Sequence, residues 1–189
     1  MAAPAVGLLS FFMGDDEDRF DVEHAVLFSP SAEKLVRVPT PDLGEEREVL
    51  RACSVTARLG ITIPGYGDDD LRALKLEDDE MDAYFGLQEG LEPDSEASLL
   101  GRDFDVDEKP SEKHAIRILG GKEYDSKWKR AHAEAVHEEA SRWAPLFQME
   151  SNFALGLNMW DAYTFLALIR WDDLAEGRFD RTHAQLARR

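Results

Sequence analysis

The chain has 189 residues, 43% hydrophobic and 32% charged, enough for one domain that buries about two-thirds of its unfolded surface. Its 22 Lys and Arg stand against 39 Asp and Glu, a net charge of -17, which excludes nucleic acid as a partner class and favours encounter with a basic protein. Cys53 is the only cysteine, so an intramolecular disulfide is excluded and a cytoplasmic location is expected.

The first 64 residues read as β. Residues 6–13 are apolar and aromatic and end at Gly14 and a run of acids, which suits a buried strand. No basic segment precedes them, so they are not read as a signal peptide, and no apolar run reaches the about 18 residues of a membrane span. A second strand is expected at 24–28, ended by Ser29 and Pro30, and a third short piece at 34–38. Residues 48–63, rich in Val, Thr and Ile, suit one long strand or two pieces, with Pro64-Gly65 as the break.

After Gly65 the period changes. Asp68, Asp69 and Asp70 stand ahead of a short helix, where acids complement the positive N-terminus. A longer helix is expected over 78–91, its apolar stripe running through Met81, Tyr84, Phe85 and Gln88 or Leu91, with Gly90 and Pro93 as the stop. Residues 92–112 are polar and acidic and read as an exposed connection. Residues 126–142 form the clearest helix, with Trp128, His132, Ala135, Val136 and Trp143 near one face. Strands follow at 146–150 and 163–169, and 179–186 suits either a strand or a short helix.

Few residues carry a chemical signature. Asp103, Asp105 and Asp107 have the spacing of a calcium loop, but Glu108 stands where that loop needs Gly and His114 where it needs a bidentate Glu, so a solvated acidic loop is expected. His132 and His137 are five apart, about 140° around a helix, and share no face for a metal. His114 is expected beside Glu112 near the start of a strand, in a structural role. Nucleophile-elbow and phosphate-loop motifs are absent. No catalytic residue, metal or cofactor is assigned. Asp161, after Trp160, either caps a turn or joins a binding cleft near Gln148 and Ser151.

The order of motifs resembles the bacterial YwqG-like family, a domain of unknown function. The resemblance rests on Gly7 to Phe12, on His114 to Gly120, on Trp143 with Leu146, Gln148 and Ser151, on Trp160-Asp161, on Phe165 to Ile169, and on Asp173-Leu174 with Phe179. The chain departs from the family at Trp160-Asp161-Ala162-Tyr163, which lacks both glycines that flank the family's Asp, and at Gly121, where an aromatic residue is usual. The resemblance implies a single domain over 1–189 that corresponds to the later part of the family domain, without its N-terminal region.

Together these readings lead us to expect an α+β fold, a mixed, mostly antiparallel sheet with two or three packed helices. An apolar sheet edge or face is expected to be exposed and to be covered in a homo-oligomer. The expected function is a non-enzymatic protein-interaction or immunity-type module that binds a basic protein. The alternative is a small-ligand binder or enzyme with its site among His114, Gln148, Ser151, Trp160 and Asp161.

Overall fold

The computed structural model describes residues 6–14, 22–31, 33, 35–36, 38–39, 52–65, 68–91, 97–102, 109–122, 125–152, 155–158 and 163–188. Within them lie two antiparallel sheets and six helices, an α+β arrangement. The helices are more numerous and shorter than the sequence suggested. None of them is long and apolar enough to cross a membrane.

Strands β1 (Leu8–Met13) and β2 (His24–Ser29) form a hairpin in which Phe11 pairs with Val26 and Leu9 with Phe28. Alternation puts Leu9, Phe11, Met13, Val26 and Phe28 on the face that meets the core, while Leu8, Phe12 and Leu27 are exposed on the other. The second sheet has the order β3 (Ala97–Leu99), β4 (Trp143–Met149), β5 (Tyr163–Arg170) and β6 (His183–Arg188). Strand β5 is central, and its six inner residues from Thr164 to Ile169 are all buried; both of its faces are covered, which is why it reads as an unbroken apolar run.

The hairpin packs on one face of this sheet. Phe11 stacks on Phe147 with centroids 4.3 Å apart, and Phe165, Ala167 and Ile169 lie in the same two clusters as Met13 and Val26. His24 pins the hairpin in place, its Nδ1 2.9 Å from the Val22 carbonyl and its Nε2 3.1 Å from the Thr182 carbonyl. On the other face, α3 (Pro110–Ile118) and α5 (Ala133–Ala140) pack together through Ala115, Ile116, Val136 and Ala140.

The remaining helices correct several expectations. The helix α1 (Asp69–Leu74) starts on Asp68, whose side chain accepts from the Asp70 N–H, and α2 (Asp78–Leu91) has the expected bounds. The expected stripe of α2 is its half-buried side. Residues 126–142 do not form one helix: α4 (Ser126–Ala131) and α5 are separated at His132, whose φ of -120° and ψ of 17° leave the helical region. The His132 ring stacks on Trp128 at 4.2 Å. His114 lies in α3 and not at the start of a strand. Residues 52–65 contain no strand, and among the described residues no strand lies alongside to take their backbone hydrogen bonds. The connection 92–112 carries β3, which pairs with β4 through Ser98 and Gln148. The helix α6 (Trp171–Ala175) and a 3₁₀ turn, Phe179–Arg181, close the chain before β6.

Candidate functional site

A polar concavity opens at the end of the sheet where β4 begins and β5 ends. Its position follows from a bulge in β4. Trp143, Ala144 and Pro145 pair with Arg170, Ile169 and Leu168, but Phe147 pairs with Ala167, so Leu146 is an extra residue. Strict alternation would put Trp143 and Phe147 on one face. The bulge instead sends Leu146 and Phe147 both to the hairpin side and turns Trp143 to the helix side, beside its pair partner Arg170. There the Arg170 guanidinium lies 5.0 Å from the centre of the Trp143 ring.

Helix α3 supplies His114 from above the sheet. Pro110 opens the helix at its first position, and Gly120, with φ of +77°, ends it in the left-handed conformation that lets the Gly121 N–H reach the Ile116 carbonyl. Gly121 in turn leaves room for an aromatic ring: a Cβ there would stand 2.4 Å from Trp128.

Three rings meet below α3. His114 stacks on His183 with centroids 3.8 Å apart and meets the Trp143 ring edge-on at 4.3 Å. Burial, followed by the nearby His183, Arg117 and Arg170, lowers the His114 pKa from 6.5 to about 3, so the ring is neutral at neutral pH. Its Nδ1 is buried without a hydrogen-bond partner.

The cavity next to this ring cluster has a volume of about 430 Å³ and is lined by His114, Ile118, Trp143, Arg170, Asp172, Asp173, Arg178 and Arg181. Asp173 is buried, and its Oδ1 accepts from Arg178 Nε at 2.7 Å and lies 3.6 Å from Arg181. One carboxylate oxygen thus serves two guanidinium groups. Glu139, buried under the rim, accepts from Arg142, from Arg170 and from the indole N–H of Trp143 at 3.1 Å. The lining carries three arginines and two aspartates, and Arg170 and Arg178 are also paired with Glu139 and Glu176.

The sequence-predicted residues are not brought together. His114 lines the cavity, but Gln148 does not. Gln148 is fully buried in the sheet, donating to Ser98 Oγ at 3.1 Å and to the Arg102 carbonyl at 2.6 Å, so it ties β3 to β4. Ser151 is half-buried just past the end of β4. Trp160 and Asp161 lie outside the described residues, as do Asp103, Asp105 and Asp107. The sequence reading missed Arg170, Arg178, Arg181 and Asp173 as site residues, since a short Arg-x-x-Arg spacing in an acidic chain carries no motif. Among the described residues, no three His, Cys, Asp or Glu side chains converge as metal ligands would.

No curated protein and no solved structure matches this chain. A family model described as a domain of unknown function, DUF1963, matches residues 1–187, and the chain belongs to that family.

Proposed function

We propose that this protein binds a small organic anion, a carboxylate or phosphate ester, in the cavity beside His114 and Trp143, and that it does so without catalysing a reaction. The observation that carries this reading is the convergence of Arg170, Arg178 and Arg181 on one concave space of about 430 Å³ in a chain of net charge -17. Guanidinium groups offer five N–H donors each in a planar fork that suits carboxylate and phosphate oxygens. Each guanidinium has five N–H donors, more than the pairs with Asp173, Glu176 and Glu139 use. The volume falls within the range of small-molecule sites.

His114 supports binding over catalysis. A general base works best with a pKa near the operating pH, and His114 is held at about 3. Neutral imidazole still offers one donor and one acceptor to a ligand. Within DUF1963, the order of motifs supports placement among the YwqG-like members, and the single cysteine supports a cytoplasmic location.

A thermal-shift and calorimetric screen of small mono- and dianionic metabolites tests the reading. Arg181 is 58% exposed in its side chain, so Arg181→Ala leaves the fold intact and weakens binding about tenfold, the loss of one charge-assisted hydrogen bond. If no anion raises the melting temperature at millimolar concentration, or if Arg181→Ala binds as well as the parent, the reading fails.

A second reading, an interaction with a basic protein, has its own support in α2. That helix carries Asp78, Asp79, Glu80, Asp82 and Glu89 and no basic residue, a surface that attracts cationic partners. Capture of a basic protein that is released as salt rises, and that is lost on neutralising these five acids, is the result that would establish it.

A further inference from the structure

Residues 53–63 show a strict period of two. Cys53, Val55, Ala57, Leu59, Ile61 and Ile63 are apolar, and the intervening Ser54, Thr56, Arg58, Gly60 and Thr62 are not. This is the pattern of a strand with one buried face. Yet residues 52–61 are all exposed, Val55 at 86%, Leu59 at 103% and Ile61 at 63%. Among the described residues, none of 52–61 takes part in a backbone hydrogen bond. Among the described residues the segment is held at its far end, where the Arg102 N–H donates to Thr62 Oγ1 and Tyr84 donates to the Pro64 carbonyl at 2.9 Å.

We propose that this segment is a strand completed by a second copy of the same chain, paired antiparallel about Ala57. Two observations select a second copy over other partners. The first is self-complementarity: centred on Ala57, Val55 falls opposite Leu59 of the second copy, Cys53 opposite Ile61 and Thr56 opposite Arg58. The apolar faces therefore coincide, and the two Arg58 side chains are not opposed. The second is charge. Residues 49–67 form the longest run of the chain without Asp or Glu, so the pairing brings no carboxylate to the seam between two molecules that each carry -17. Screening of the remaining repulsion makes the association tighten as salt rises, opposite to the salt response of a contact between unlike charges.

The full chain is tested by sedimentation at micromolar concentration in low and high salt, together with two variants. The parent is expected to form a dimer that strengthens with salt. Leu59→Asp, at a fully exposed position that contributes nothing to the monomer core, gives a monomer that still unfolds cooperatively and whose melting temperature, unlike the parent's, does not depend on concentration. In a Cys53→Ser background, Ala57→Cys places two thiols across the two-fold axis at a Cα separation of about 4.5–5.5 Å, within disulfide range, and mild oxidation yields a covalent dimer. A parent that stays monomeric at every salt concentration overturns the proposal. So does a dimer that survives Leu59→Asp, or an Ala57→Cys variant that fails to crosslink while the parent dimerises. Amide-exchange protection of 53–61 in a monomer would assign the pairing to the chain's own sheet edges and overturn it too.

Discussion

Trp143 and Phe147 lie four residues apart on one strand and on opposite faces of its sheet. The bulge at Leu146 produces this relationship, and it is what separates a hydrophobic core on one side from a polar site on the other. Leu146 is 1% exposed and packs with Val26, Ile169, Leu174 and Phe179. Leu146→Ala is expected to cost about 2–5 kcal/mol, measured by urea unfolding. Deleting Leu146 restores regular alternation and forces Trp143 toward the hairpin side, which dissociates it from His114 and Arg170; a loss of anion binding in a chain that still folds is the expected outcome.

Stability depends on pH through His114. The folded state holds its pKa at about 3 against the ordinary 6.5, so as pH falls the unfolded chain takes up the proton first. The sign is therefore that of a depressed histidine: the contribution is complete above pH 6.5 and is lost as pH falls from 6.5 toward 3. Urea midpoints measured between pH 7 and 4 should decline, and His114→Gln should flatten that decline by up to one proton. An identical slope in the variant would show that His114 is not the titrating group.

Gln185 is 2% exposed, and neither its amide nitrogen nor its amide oxygen has a hydrogen-bond partner. Leaving buried polar atoms unmatched costs about 1–3 kcal/mol. Gln185→Leu, close in volume, should raise stability by a similar amount in chemical denaturation. A destabilised variant would mean that an ordered water or ligand meets the amide.

Glu139 accepts from three donors, two of them on half-exposed or exposed arginines that water can solvate once the carboxylate is gone. Glu139→Ala is expected to destabilise by about 1–3 kcal/mol. It should also quench or shift Trp143 fluorescence, since the indole N–H loses its acceptor.

Gly121→Ala places a methyl group 2.4 to 2.7 Å from the Trp128 ring. The ring must leave its place against the α3 and α5 cluster, at a cost of about 1–3 kcal/mol. Pairing it with Trp128→Leu should recover part of that loss in a double-mutant cycle.

The amino-acid sequence determined the elements whose periodicity is their own. The hairpin strands and the buried run of β5 follow from short apolar runs bounded by turn residues, and α2 from its stripe from Met81 to Leu91 at helical spacing. It also named His114 and Trp143 as parts of motifs. What the tertiary structure decided is where those residues meet. A bulge adds one residue to a strand and reverses every side chain before it, and Pro145-Leu146-Phe147 carries no local mark of that. The arginines of the cavity come from the end of β5 and from the turn around Phe179, so their convergence depends on chain closure and on the shared carboxylate of Asp173, which no linear pattern encodes. The same reason explains residues 53–63: alternation states that a face is to be covered, and only the packing shows that the described chain does not cover it.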